Sequence, residues 1–459
     1  GPTCAVLTNA GIPSVTASAP CNDPALTSDL VLPNTGICSH GGNVMGQNQT
    51  FALTWDADRS HWSVTRDYVE QFLRDVADAS GALNNPYAVT SQYSDAHGRA
   101  QNSSKYGGGC IDYGSVGGAS CEFGSVSGTG HDFPANGCTP AGDSFTALNL
   151  VSTNTVCLTD AQLQSYLAPM ISQVGLLGRT QPGYTPLVTL LLPPGVVACL
   201  DATNKLCSAN GSLAPPVPSP TTSTTSGTLS PGDYYVELTY NTASGEDLPS
   251  AAAKVTLPAN GSITVPSPPT ATGATGWYVY VKAPSASRYI RVAGPLTIGT
   301  SFTLSSLPAS GTAPPQKSAF CSYHSQVSVG GTNVAYLVQP WTAGTQCDEP
   351  GLSTPPDPLN DPVGFSKNVG LRLVNPLSQA HIASIVNPGL NGWFALNGSE
   401  INDNGFNGYA CHPLSPQYDS VTVGSGSYVL QREFNNAAAI ESEPVTYFGC
   451  VPGVLLTPS

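Results

Sequence analysis

Thirteen cysteines spread over 459 residues constrain the fold of this chain more than any other feature. No two of them form a C-x-x-C pair, and the shortest spacing separates Cys199 from Cys207. Zinc ribbons and thioredoxin-like sites need the closer spacing, which disfavours both classes. Widely spaced cysteines in a chain rich in glycine and proline are typical of disulfides formed in an oxidising compartment. We therefore expect a secreted, extracellular protein.

The spacing of the cysteines suggests four local disulfides, each contributing about 2–4 kcal/mol by restricting the unfolded chain. The expected pairs are Cys110 with Cys121, Cys199 with Cys207, Cys321 with Cys347, and Cys411 with Cys450. The odd count leaves at least one cysteine free or joined to another chain. This favours a role in assembly, including a homo-oligomer.

The charge balance excludes two classes of partner. The chain has 29 acidic and 15 basic residues, so its net charge is −14. No basic patch is available to release counterions from phosphates, so we expect no binding to nucleic acid or to anionic membranes. The longest apolar stretch, Val188–Leu192, is too short to cross a bilayer, so we expect no membrane insertion. The first residues, Gly1–Cys4, fit a mature chain from which a leader has been removed, and Gly1-Pro2 equally fits the scar of a cleaved tag.

Changes in composition divide the chain into four parts. Residues 1–42 have three cysteines and no periodicity, and we interpret them as a disulfide-pinned N-terminal arm. Residues 43–212 and 316–459 are predicted to form the two halves of one core domain. Between them, residues 213–315 begin with a Pro/Ser/Thr-rich linker and continue as short strands, typical of a fibronectin- or immunoglobulin-like β-sandwich. The predicted fold class is α+β, a β-rich core with an inserted small sandwich.

Local patterns predict several elements of the core. Apolar residues at steps of four predict a first helix, and Thr159 with Gln162 forms a capping box for a second. Tyr87–Tyr93 is predicted to be a strand. Asn375 is a good N-cap and Pro376 suits the first position of a short helix, which Asn387-Pro388 should end near Val386. The apolar residues of the first helix are Val64, Tyr68, Phe72 and Val76.

The order of several segments resembles the secreted, phosphate-induced EXORDIUM-like proteins of plants and their bacterial relatives. The segments are Cys321–Ser325, Tyr336–Pro340, the helix ending at Asn387-Pro388, Asn391–Trp393, Gly398–Asp403 and Tyr428–Asn436. In the bacterial relatives this helix carries a zinc-protease-like segment. A histidine and a glutamate four residues apart could hold the metal there, and the glutamate beside the histidine would be the general base. The resemblance implies a zincin-like core.

Aligned with those relatives, this chain has a degenerate metal motif. Gln379 replaces the histidine, Ala380 the base, Ala383 the second carboxylate and Asn387 an aspartate. Glutamine is a poor zinc ligand and alanine is none, so most of the binding energy is lost. We therefore predict no metal, no cofactor and no assigned catalytic residue. The remnant-site candidates are Gln379, His381, Glu400, Asp403 and His324.

Different roles remain open for these candidates. His381, Glu400 and Asp403 could build a relocated metal site, although His381 lies two positions from Gln379 and faces another side of the helix. Alternatively, His381 is a hydrogen-bonded surface or core histidine, and the two carboxylates form turns. A nucleophile pair of Cys321 and His324 would need a free thiolate, whereas we expect Cys321 in a disulfide.

Two functions follow from these predictions. The favoured one is a non-catalytic cell-surface or extracellular binding or assembly protein, a pseudoenzyme with a metal-less metallopeptidase-like core. Its partners would be cell-wall glycan or other protein subunits. The alternative is a secreted hydrolase, either a peptidase or a cell-wall glycan-active enzyme, in which Glu400 and Asp403 act as acid and base.

Overall fold

The computed structural model describes residues 4–5, 38–58, 63–82, 84–123, 130–140, 155–203, 206–208, 215–243, 245–250, 252–286, 289–312, 314–315, 320–342, 362–394, 400–401, 418–431, 433 and 455–456. These residues form a mixed α and β structure that is rich in strands, which confirms the predicted fold class. None of the described helices is long and apolar enough to cross a membrane.

The described helices lie in the earlier and later parts of the chain, with a long run of strands between them. In chain order they are β1 (Asn48–Trp55), α1 (Ser63–Asp78), β2 (Ser104–Asp112), β3 (Ala119–Cys121), β4 (Val156–Thr159), α2 (Asp160–Gln173), β5 (Thr185–Leu191), β6 (Val196–Cys199), β7 (Thr221–Ser223), β8 (Gly232–Thr242), β9 (Gly245–Pro249), β10 (Ala253–Leu257), β11 (Ser262–Val265), β12 (Ala274–Lys282), β13 (Ile290–Leu296), β14 (Phe302–Leu304), β15 (Tyr323–Val329), β16 (Thr332–Gln339), α3 (Pro362–Val386), β17 (Tyr418–Val423) and β18 (Gly426–Gln431).

Shorter elements complete the description. They are a 3₁₀ helix (Pro86–Gln92), single helical turns (Gly114–Gly117 and Leu176–Arg179), and two-residue strand pairs (Cys4–Ala5 with Leu455–Leu456, Cys38–Ser39 with Trp393–Phe394, and Ser94–Asp95 with Gly98–Arg99). The first two strand pairs join residues of the predicted N-terminal arm to residues of the last third of the chain.

Six strands form the main sheet, in the order β15-β16-β5-β1-β2-β3. The four central strands, β16, β5, β1 and β2, are parallel to one another, whereas the edge strands β15 and β3 pair antiparallel with β16 and β2. The sheet joins both halves of the chain, because β5 precedes the run β7–β14 and its neighbour β16 follows it. The sequence patterns did not predict that the central strands are parallel.

Helices cover both faces of this sheet. All eight residues of β1 are buried, as expected for a central parallel strand. On one face Ala52 packs among residues of α1 and α3, and on the other Phe51, Leu53 and Trp55 pack against α2. The capping box of Thr159 and Gln162 begins α2, as predicted.

Strands β7–β14 form two further sheets with a core of their own. One sheet has the order β7-β11-β14, and the other has β9-β8-β12-β13 with β10 also paired to β8. The buried core residues between these sheets all lie between 229 and 304, with Trp277 fully buried among them. The boundaries proposed for an inserted module, 213–315, enclose this cluster.

Two local predictions from the sequence are wrong. The segment predicted as a strand, Tyr87–Tyr93, lies largely in a 3₁₀ helix, because the Asn85 side chain caps it and Pro86 sets its first turn. Helix α3 begins at Pro362 rather than after Asn375, so Pro376 lies inside it. An internal proline costs about 3 kcal/mol. Buried residues on both sides of it, including Val369, Leu373 and Leu377, offset that cost.

The described residues contain three disulfides within one segment of the chain. Two of them, Cys110 with Cys121 and Cys199 with Cys207, were predicted and are confirmed. The third joins Cys138 to Cys157 and was not predicted. Cys321 is also disulfide-bonded. The expected partners Cys347, Cys411 and Cys450 lie outside the described residues.

A fragment of residues 215–315 should fold alone, because its core contacts come from within the fragment. Trp277 is its only tryptophan and is fully buried, so its fluorescence reports folding. We expect a blue-shifted emission and a cooperative urea transition. Trp277→Ala lacks this fluorescent reporter, so its urea unfolding is followed by far-UV circular dichroism, which should show a loss of about 3–5 kcal/mol of stability. Solvent-exposed emission and no transition in the unmutated fragment would show that the module boundaries are wrong.

Candidate functional site

The C-terminal end of α3 and the residues after it form a small polar cluster. His324, on β15, has its Nε2 atom 2.9 Å from Oε1 and 3.0 Å from Oε2 of Glu400. Asn387 donates a hydrogen bond from its side chain to the same carboxylate and accepts one from the backbone N–H of Gly392, 2.7 Å away. The side chains of His324 and Glu400 are only 4% and 19% exposed. Glu400 therefore has protein donors on its carboxylate.

These partners lower the pKa of Glu400. Burial alone would raise the pKa of Glu400, but the interaction with His324 and the hydrogen bonds from His324 and Asn387 outweigh it and lower the pKa below its usual value. The other ring nitrogen of His324, Nδ1, is buried and has no hydrogen-bond partner among the described residues. The cluster is thus a buried, hydrogen-bonded His324–Glu400 pair with one ring nitrogen that has no partner among the described residues.

His381 lies in a different environment, between α3 and β1. Its side chain is almost fully buried, with 1% exposure. Nδ1 is 2.7 Å from the Tyr87 hydroxyl, while Nε2 is 2.8 Å from Thr50 Oγ1 and 3.3 Å from Asn48 Nδ2. Burial lowers the pKa of His381 to about 3, so the ring is neutral at neutral pH. Both nitrogens have partners within the fold, which favours a structural role over metal ligation.

The other positions of the degenerate motif face the core or its margin. Ala380 and Ala383 are buried in the cluster that packs α1, α3 and the main sheet. Gln379 is half-buried on the same helix. Asp403 lies outside the described residues, so its proposed pairing with Glu400 stays a prediction. Cys321 is disulfide-bonded, so it offers no free thiolate beside His324.

These residues do not fit a zinc ion. Zinc sites use three or four ligand atoms from His, Cys, Asp or Glu. Among the described residues, the one trio whose ligand atoms lie within 4.8 Å of one another is Cys138, Cys157 and Cys199. Those three sulfurs already belong to two disulfides, with Cys157 Sγ and Cys199 Sγ 3.6 Å apart, so the trio is not a set of free thiolates. Among the residues that the structure describes, the α3 cluster supplies only His324 and Glu400 as possible ligands.

A second polar cluster, which the sequence patterns missed, lies at the carboxyl end of the parallel strands. Asp112 ends β2 and is fully buried. It accepts hydrogen bonds from the backbone N–H groups of Gly114 and His131, from His131 Nδ1 and from the Tyr166 hydroxyl. Burial and the carboxylates of Asp56 and Asp132 raise the pKa of nearby Asp58.

The sequence contains only a weak signal for this second cluster. His131 follows a long Gly/Ser-rich segment that predicts a loop, and Asp112 follows a strand with no recognisable motif. Ligands in open parallel sheets bind outside the carboxyl ends of the strands. That rule would have directed attention to Asp112, but it applies only once the parallel pairing is known.

Comparison of the chain with family models, with curated proteins and with solved structures found no match. The resemblance to EXORDIUM-like proteins therefore remains a prediction from the sequence.

Replacing His381 with glutamine should weaken the dependence of stability on pH. Between pH 6.5 and about 3 the unfolded chain binds a proton on this ring that the folded protein does not take up. The contribution of the neutral His381 ring to stability is therefore fully present above pH 6.5 and falls by about 1.4 kcal/mol per pH unit below it. Urea unfolding at pH 7 and pH 5 measures this effect. The free energy of unfolding lost between these pH values should be about 2 kcal/mol larger for the wild type than for His381→Gln.

The matched control is His97→Gln, because the side chain of His97 is 80% exposed. This variant should keep the wild-type dependence on pH. If His381→Gln and the wild type lose the same stability between the two pH values, the ring is not buried and neutral as described.

Proposed function

We propose that this chain is an extracellular binding or assembly protein in which the metallopeptidase-like helix no longer carries metal chemistry. The observation that carries the proposal is the pairing of Glu400 with His324 and Asn387. Protein donors compensate the carboxylate where a cation would otherwise be needed. The disulfides are compatible with an oxidising compartment and so with secretion.

The replacement of two motif carboxylates by alanine supports the same proposal. Burying a carboxylate that has no partner costs roughly several kcal/mol of folding free energy. Proteins therefore bury carboxylates mainly beside a cation or hydrogen-bond donors. Ala380 and Ala383 remove that cost and add apolar contacts to the core. The helix therefore needs no metal for its stability.

The alternative, a hydrolase that uses Glu400 and Asp403 as acid and base, has less support. A catalytic acid needs a raised pKa to hold its proton near neutral pH. The pKa of Glu400 is lowered instead, and its two oxygens already bond to His324. Glu400 is therefore better suited to a structural ion pair than to proton donation.

Purified protein should contain far less than one zinc ion per chain, and EDTA should not change its Tm. Elemental analysis and differential scanning fluorimetry measure both quantities. Glu400→Gln should lower the stability by about 1–3 kcal/mol, because it weakens charge-assisted hydrogen bonds, without changing the metal content. The control Glu122→Gln removes a half-exposed partner of Arg74 and should cost less than about 1 kcal/mol. Stoichiometric zinc that Glu400→Gln releases would contradict the proposal.

A binding or assembly role is tested separately, with the intact chain. We expect either retention on insoluble cell-wall polysaccharide that soluble glycan reverses, or concentration-dependent association in sedimentation velocity under oxidising conditions. The unpaired cysteine implied by the odd count would make part of that association sensitive to reductant. A protein that stays monomeric and is not retained on the polysaccharide would contradict the role.

A further inference from the structure

Asp112 holds His131 in one orientation. The carboxylate is fully buried and contacts both the backbone and the ring of His131, with Oδ1 2.8 Å from the backbone nitrogen and Oδ2 3.0 Å from Nδ1. The backbone of His131 is also fixed, because the indole N–H of Trp55 donates to its carbonyl oxygen at 2.8 Å. Tyr166 stacks on Trp55 at 3.7 Å between ring centroids and meets the His131 ring edge-on at 5.5 Å.

The other ring nitrogen of His131 is available. A carboxylate only accepts hydrogen bonds, so in the neutral ring Nδ1 carries the proton and Nε2 keeps its lone pair. Nε2 has no hydrogen-bond partner among the described residues and is not one of the buried unpaired atoms there. The His131 side chain is 30% exposed, so the ring is partly accessible to solvent. An oriented histidine with a free, accessible Nε2 is the arrangement that general-base catalysis requires.

The position of His131 in the fold is the second argument. Strand β1 has β2 on one side and β5 on the other, and the helices that follow β1 and precede β5, α1 and α2, lie on opposite faces of the sheet. The chain therefore reverses its direction of winding between β1 and β5. Open parallel sheets bind ligands outside the carboxyl ends of the strands at such a point. Trp55 ends β1, which borders this point, and Asp112 ends the neighbouring strand β2; both bond to His131.

We propose that His131 is the general base of a metal-independent hydrolytic site, positioned by Asp112, that acts on uncharged or cationic acyl esters. Nε2 takes a proton from a water molecule as the water oxygen bonds to the acyl carbon. The imidazolium then returns that proton to the leaving oxygen as the carbon–oxygen bond breaks, which yields the acid and the alcohol. Asp112 accepts the hydrogen bond of the imidazolium throughout and stays ionised.

Water rather than a serine is the nucleophile in this proposal. Ser115, which follows β2, donates its hydroxyl proton to Asp132 at 2.5 Å and has no hydrogen bond to His131. A serine nucleophile would need that second contact. The Ser115 hydroxyl therefore bonds to the Asp132 carboxylate and not to the His131 imidazole, which would have to act as its general base.

The charge around the site defines the substrate class. Asp132 is adjacent to His131 in the chain, and Asp58 interacts with both Asp132 and Asp56. The hydrogen bonds from Ser115 lower the pKa of Asp132 and keep it ionised. An anionic substrate would meet several like charges, whereas a neutral or cationic ester would not.

The intact protein should hydrolyse p-nitrophenyl acetate, and His131→Gln should reduce the rate about a hundredfold, the lower end of what a general base contributes. His97→Gln is the matched control, because His97 also lies beside an aspartate but is 80% exposed; it should keep the wild-type rate. The mono-p-nitrophenyl ester of succinate, which is anionic, should react more slowly than the acetate.

Asp112 is a positioning residue, so its variant needs a readout other than rate. In Asp112→Asn the imidazole should change to the Nε2-protonated tautomer, which ¹⁵N chemical shifts of the ring report, and the rate should fall. Equal rates for the wild type and His131→Gln, including no hydrolysis by either, would overturn the proposal. Faster reaction of the anionic ester would overturn the substrate class. Because no residue of α3 takes part, these results are independent of the zinc and Glu400 measurements.

Discussion

Burial of both faces of the main sheet at its centre, where β1 lies, is the constraint on which the core depends. Strand β1 exposes no side chain, so each face needs a helical layer: α1 and α3 on one side and α2 on the other. Parallel strands also need long connections. The connection between β5 and β16 includes all the strands of the separate sandwich core, so that core adds to the chain without interrupting the pairing of β5 with β16.

The same burial explains the polar groups beneath α3. A polar side chain that enters such a layer must find its partners inside the protein, or it costs the free energy of its lost hydration. His381 satisfies both ring nitrogens from Tyr87, Thr50 and Asn48, and remains neutral. Glu400 keeps its charge because His324 and Asn387 donate to it. These contacts link α3 to β1 and β15 and determine where the helix lies.

Local signals predicted much of this fold, and non-local pairing supplied the rest. The spacing of apolar residues predicted α1, and the capping box predicted the start of α2. Two of the three disulfides that join described residues were predicted from short separations. The start of α3 was not predictable, because tertiary packing around Pro376 outweighs its local preference. The cluster of Asp112 and His131 was missed, since it depends on strands whose parallel register no local pattern encodes.

The two polar clusters differ in what their histidines can do, and the difference follows from position. At α3 the polar groups lie beneath a long helix, so most of their donors and acceptors bond within the fold, with His324 Nδ1 an exception among the described residues. At the carboxyl ends of β1 and β2 the strands stop, and the fold cannot surround the last residues on all sides. Asp112 is still buried there, but the His131 ring it holds reaches solvent. The carboxyl ends of parallel strands can thus hold a buried carboxylate beside an accessible histidine. Residues packed beneath α3 cannot, because the helix covers them.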